Sequence, residues 1–233
     1  MCIRDRHIAS LLQGFRLIDS FFPSGGFAFS SGLEAAVQGR HVQTADELNH
    51  YVCDYLRYGI GKCEAVAVAQ AHYASAKKDL LAVETTDTTL ESMKLCKDTR
   101  LASRQMGQSV LNNSVQLDAR QGILNSYKVD VDSGTTPGHL AVVLGVMFEH
   151  MGWNQEEAIA GFLYQTGVSL VSASYKLLPI GQREGQRLLE QWTPVMEELS
   201  QTINAHTPMM TWAPLQEICA MRHSQLTTRM FRS

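Results

Sequence analysis

The stretch Thr44-Ala45-Asp46-Glu47-Leu48-Asn49-His50-Tyr51-Val52-Cys53-Asp54-Tyr55-Leu56 decides the fold class. Thr44 followed three residues later by Glu47 is a capping box. The hydroxyl takes the amide of the third helical residue, and the carboxylate reaches back to the cap amide. Leu48, Tyr51, Val52, Tyr55 and Leu56 then recur at steps of three and four, the spacing of one inward helix face. A strand would need alternation at two.

The same period spreads in both directions. Upstream, Ile8, Leu11, Leu12, Phe15 and Ile18 predict a first helix with that face buried. Pro23, Gly25 and Gly26 break the chain, and Ser31 with Glu34 predicts a short capped helix through Val37. Downstream, Gly59 and Gly61 interrupt before an alanine-rich run from Ala65 to Ala76 that suits close packing. Glu84 to Thr89 reads as a polar loop, Leu90 to Leu111 as a helix, and Ser126 to Gly138 as the longest loop. Leu140 to Met151 is a glycine-punctuated helix. Asn154 with Glu157 caps another that runs to about Leu178, and Arg183 to Ala205 forms one around Pro194. A last amphipathic segment after Pro214 places Leu215, Ile218, Cys219 and Leu226 on one side. The expectation is all-α: a compact, bundle-like single domain over residues 8–233 with about eight to ten helices. Residues 1–7 are expected to be a disordered or foreign leader, and 209–233 a partner-binding segment.

Composition bounds the function. The chain has 233 residues, 45% apolar, so it can bury a sizeable core. A net charge of −3 and a charged fraction of 18% argue against nucleic acid or anionic lipid as partners. Five scattered cysteines with no CxxC pair read as reduced thiols. No signal peptide is expected, because Arg4, Asp5, Arg6 and His7 stand where an apolar segment would be needed, and a cytosolic protein follows.

Motifs for chemistry are missing from the sequence. Phe22-Pro23-Ser24-Gly25-Gly26-Phe27 is glycine-rich, but no Gly-Lys-Ser/Thr follows, so it reads as a tight interhelical turn flanked by aromatics. The eight histidines include no pair at i, i+4 and no Cys/His cluster, so no metal site and no cofactor are expected. No GxSxG occurs, and Glu156-Glu157 and Glu197-Glu198 read as solvated helix faces. No enzyme is expected. Two segments resist a bland reading. Lys176 to Gln182, followed by Gln186, sets two glutamines four apart just after a helix break, where they could hold free backbone groups or face a partner. Met221 to Ser233 mixes Arg222, His223, Arg229 and Arg232 with Met230 and Phe231, the composition of a tail that orders on a partner.

Taken in order, these segments resemble the urease accessory protein UreF family. The resemblance rests on Leu11-Leu12-Gln13, Asp19 to Phe27, Ser30 to Ala36, Arg100 to Gly107, Pro179-Ile180-Gly181-Gln182 with Gly185-Gln186, and Met221 to Ser233. It implies an all-helical, non-catalytic protein, usually a homodimer, that binds UreD (UreH in some systems). In that complex it recruits the GTPase UreG to apo-urease for assembly of the dinuclear nickel site. By resemblance Arg229 matches an arginine tied to UreG recruitment, Phe27 sits at an aromatic position with a similar role, and the terminal segment would order against UreD. Phe29 stands where many members carry His, and Ile180 where many carry Leu. Lys176 replaces a frequent Arg and so lacks the planar fork. The partner-facing candidates are therefore Phe22, Pro23, Gly25, Gly26, Phe27, Lys176, Gln182, Gln186, Arg222, His223, Arg229, Phe231 and Arg232. The alternative is a GTPase-activating protein whose Arg229 or Arg222 acts as an arginine finger on UreG.

Overall fold

A computed structural model of the protein describes residues 3–115 and 122–232 (backbone alone at 3–6 and 115). Among these residues the regular elements are helices: α1 (Ile3–Ile18), α2 (Leu33–Gln38), α3 (Ala45–Asp54), α4 (Glu64–Ala76), α5 (Leu80–Met93), α6 (Lys97–Val115), α7 (Ile123–Ser133), α8 (Leu140–His150), α9 (Gln155–Leu177), α10 (Gln182–Thr202) and α11 (Pro214–His223). A 3₁₀ turn at Gly26–Ala28 and a π turn at Tyr55–Ile60 join them. The all-α class is as expected, but the eleven helices exceed the eight to ten anticipated.

Two of the expected loops are helical. Glu84 to Thr89 lies inside α5, where the hydroxyls of Thr85, Thr86, Thr88 and Thr89 each donate to the carbonyl four residues back. The polar run satisfies itself within the helix instead of breaking it. Most of Ser126 to Gly138 is α7, which buries Leu124, Tyr127 and Val131 and ends at Gly134 in the left-handed conformation. The single helix expected over Leu90 to Leu111 is broken by an extended Lys94, whose ammonium pairs with Glu64 at 2.6 Å.

The capping boxes at Thr44/Glu47 and Asn154/Glu157 both form, each with its two reciprocal bonds. The one expected at Ser31/Glu34 does not. Gly32 caps α2 at φ 85°, and the hydroxyl of Ser30 takes the Glu34 amide at 3.4 Å. A Cβ on Gly32 would stand 2.8 Å from the Ala220 amide nitrogen, so α11 could not come as close to any other residue. The Glu34 carboxylate is thereby free for another task.

The core is built around α8, whose residues Ala141 to Phe148 are all buried. A helix apolar on every side belongs inside other helices. Here α4, carrying Ala65, Ala67, Ala69, Ala71 and Ala74, packs against it, with α9 alongside and α10 laid on α9. α1 rests on α9 through Leu17, and the indole of Trp153 donates to the Ser10 carbonyl at 2.9 Å. Its expected inward face is corrected: Ile8, Leu12 and Phe15 are exposed. The helix already begins at Ile3, ahead of the expected start, while residues 1 and 2 lie outside the described residues. Cys53, Cys63, Cys96 and Cys219 are free thiols. No helix among the described residues is long and apolar enough to cross a membrane.

A polar node lies where α5, α6 and the α7–α8 connection meet. The His139 ring bonds Ser103 Oγ at 3.1 Å and Glu91 Oε2 at 2.8 Å, and Glu91 also meets Arg100 at 3.2 Å and Arg104. Ser103, His139 and Glu91 stand in the order of a hydrolase triad, yet the serine is buried and the row runs on into two arginines. It ties α5 and α6 to the start of α8.

Burial, the largest influence, holds His139 below its ordinary value against the raising charges of Asp87 and Glu91. Burial pushes Glu91 up, but hydrogen bonds from Arg104 and His139 outweigh it and leave the carboxyl below its usual range. With both folded values depressed, the unfolded chain binds protons more readily. Stability is then complete above about pH 6.5 and falls on acidification, first through His139 and later through Glu91. His139→Gln is expected to flatten the limb between about pH 6.5 and 5 by up to about 1.4 kcal/mol per pH unit. Urea titrations at stepped pH read this slope, and an unchanged slope would refute the assignment to His139.

Candidate functional site

The expected partner-facing residues converge on a seam between the first interhelical loop and the C-terminal tail. The loop is fixed from both sides. The Phe21 amide donates to Asp19 Oδ1 at 2.8 Å, and the Pro23 carbonyl accepts from Ser109 Oγ of α6 at 2.6 Å. Gly25 turns the chain at φ 81° into the 3₁₀ turn. Phe22 points into the core, while Phe27 stands 59% exposed.

The tail runs along this loop. The Arg232 amide donates to the Ala28 carbonyl at 2.7 Å. Phe231 is buried, with the Lys176 ammonium 5.1 Å from its ring centre. Loop, tail and the facing parts of α9 and α10 enclose a cavity of about 310 Å³ lined by Gly26, Phe27, Lys176, Gln186 and Phe231 among others.

Beneath the seam lies a buried pair. The Glu34 and His223 side chains are both wholly buried, with Glu34 Oε2 2.8 Å from His223 Nε2. The remaining ring nitrogen of His223 finds no partner among the described residues, so Nε2 is the nitrogen that donates to the carboxylate. Glu34 also accepts the amides of Met230 at 2.7 Å and Phe231 at 3.2 Å.

The sequence-derived candidates therefore divide. Gly26, Phe27, Lys176, Gln186 and Phe231 share one cavity wall. Pro23, Gly25, Gln182, Arg222, Arg229 and Arg232 are exposed nearby or along the tail. Phe22 and His223 are buried and reach no outside partner directly. Among the described residues, neither glutamine side chain bonds the helix break. Its backbone closes on itself through Leu178 N to Ser174 O and Gly185 N to Gly181 O.

α11 is rotated from its expected orientation. Leu215 and Ile218 are exposed, whereas Gln216, Cys219, Ala220 and His223 face inward. Gln216 Nε2 donates to the Tyr51 carbonyl at 3.0 Å. The terminal segment, expected to order on a partner, is seated on the chain's own body; Ser233 lies outside the described residues. Sequence reasoning missed Glu34 and Gln38 as members of the site. The signal for Glu34 was a lone carboxylate set among Leu33, Ala35 and Ala36, a position that buries a charge only with partners.

Among the described residues, no group of three or more His, Cys, Asp or Glu side chains is placed to hold a metal ion. What the fold builds here is a helical body whose seam carries exposed arginines beside an exposed aromatic ring, the surface of an all-helical accessory-type protein with no metal cluster among its described residues. A sequence model of the UreF family matches residues 42–193, more than half of the chain. The urease accessory protein UreF of Bacillus sp. (strain TB-90) is 30% identical over 96% of this chain and 99% of its own length. Those of Picosynechococcus sp. (29% identical, 94% and 97%) and Trichodesmium erythraeum (28%, 96% and 97%) align as fully. The chain belongs to the UreF family of urease accessory proteins, and it is not itself an enzyme.

Proposed function

We propose that the chain is the scaffold of a urease-maturation assembly. It binds UreD (or UreH), recruits the GTPase UreG through the arginines of the seam, and brings both to apo-urease, where nickel is the cargo inserted. It acts in the cytosol as a homodimer of a single helical domain spanning residues 8–233. The observation that best supports this reading is Arg229. Its side chain is exposed, and it makes no hydrogen bond or ion pair among the described residues, on a tail otherwise bonded to the body. Phe27, exposed on the loop beside the tail, supplies an aromatic neighbour of the kind that anchors interfaces.

The test is co-purification with matched UreD and UreG, pulling on UreD. Arg229→Ala is expected to lower UreG recovery at least about tenfold, the loss typical of one interface hot spot. If UreG is retained as well as by the parent chain, the recruitment role of Arg229 is wrong. An arginine finger predicts the opposite pattern, with recovery intact and GTP hydrolysis reduced by about 10³- to 10⁵-fold. A point substitution is the right probe, because cutting the chain at Pro214 would remove the buried face of α11 as well.

A further inference from the structure

We infer that Glu34 and Gln38 are positioning residues that clamp the tail backbone on either side of Arg229 and so aim its side chain outward. What Arg229 meets rests on the reading proposed above; the clamp itself rests on hydrogen bonds.

Glu34 and Gln38 stand one turn apart on α2, on the same helix face. Gln38 Nε2 donates to the Thr228 carbonyl at 3.0 Å, just before Arg229. Just after it, Glu34 Oε1 accepts the Met230 amide at 2.7 Å and Oε2 accepts the Phe231 amide at 3.2 Å. Two holds thus bracket one residue. All three tail contacts are to backbone atoms, so they fix the register of the tail whatever its side chains are. The residue between Thr228 and Met230 is the one displayed.

The chemistry explains why the hold is firm. A wholly buried carboxylate is costly unless its oxygens are matched by donors. Here the donors are the His223 ring and the two tail amides, so lifting the tail strips two of the three partners named. The side chain of Phe231 closes over the same spot, packed in the core at 6% exposure. An arginine on a loose tail would have to be ordered at the moment of binding, and a seated tail removes that cost.

The experiment uses the full chain and two readouts: amide exchange resolved at the tail, and affinity for the matched UreD–UreG pair. Glu34→Gln places an amide group against two amide donors. It is expected to speed exchange at Met230 and Phe231 by at least about tenfold while α4 and α8 stay protected. Gln38 is exposed, so Gln38→Ala should leave Tm unchanged and lower affinity about three- to tenfold. In an Arg229→Ala background, Gln38→Ala should cost nothing more, because there is no longer a side chain to aim.

Unchanged exchange at Met230 in both variants overturns the clamp. Loosened exchange with full affinity, or an affinity loss that persists without Arg229, overturns the positioning role. If Arg229→Ala itself binds normally, the partner reading fails, while exchange still decides the clamp. Should Glu34→Gln not fold, Gln38→Ala carries both measurements.

Discussion

Asp87→Ala is expected to cost about 3–5 kcal/mol of folding stability, because it orphans several buried hydrogen-bond donors at once. Asp87 is wholly buried and accepts four bonds. They come from Tyr127 Oη at 2.7 Å, Thr136 Oγ1 at 2.9 Å, the Gly138 amide at 2.6 Å and the His139 amide at 2.9 Å. These donors come from α7 and from the connection leading into α8. Alanine would leave all four without their acceptor in the interior, and each orphaned group costs about 1–3 kcal/mol where water cannot reach it. The side chain is too small to admit more than a water or two, so part of the loss is recoverable, which is why the expectation stays near the lower sum. Since a whole domain is stable by only about 5–15 kcal/mol, the variant should melt far below the parent chain or fail to accumulate. Urea unfolding at neutral pH measures it, and a loss under about 1 kcal/mol would mean the node is not structural.

Gly107→Ala is the second large effect, and its sign is set by a contest. Alanine is favoured over glycine inside a helix by about 1 kcal/mol, so an unobstructed position would be stabilised. Gly107 is obstructed. An added Cβ would stand 2.1 Å from the Gly138 carbonyl oxygen and 2.9 Å from the Leu140 amide nitrogen, all backbone with no side chain to swing aside. α6 would have to move away from the start of α8 by more than an ångström, at a cost of about 1–3 kcal/mol or more. Net destabilisation of at least about 1 kcal/mol is expected despite the propensity gain. Thermal unfolding with a Tm at or above that of the parent would show that propensity had won. The Gly138 segment is also the one Asp87 holds, so the two substitutions should combine to less than the sum of their separate effects.

Helices with a regular apolar stripe and a side-chain cap, such as α3 and α9, were legible because local rules and burial agree there. α5 and α7 were not. In α5 the threonines and Asp87 read as a loop because hydropathy sees polar atoms but not the i−4 carbonyls or the four donors that satisfy them. In α7 the aspartates at 130 and 132 obscured the correct spacing of Leu124, Tyr127 and Val131. The site was half visible. Its loop, Lys176, Gln186 and tail were found as motifs, but that they share one wall is a fact of tertiary packing. Glu34 was assigned to a cap because Ser31 lies three residues before it, and the positive φ of Ser31 and Gly32 that cancels that cap is not written in the residue pattern. The orientation of α11 failed for a related reason: its inward face carries Gln216 and His223, polar residues whose partners lie more than 160 positions away.

That separation has a consequence for how the protein is made. Glu34 meets residues 223, 230 and 231 across 189 to 197 positions of chain. Synthesis delivers roughly 5–20 residues each second, so α2 waits on the order of ten seconds or more before its counterpart emerges. During that interval a buried-type carboxylate has water, not amides, around it. The α4–α8–α9 centre can consolidate earlier, since its members lie between residues 64 and 177. A chain released early would keep that centre and lack the tail seam altogether. The seam thus closes only after translation has run past residue 231, so its presence marks a chain made at least that far.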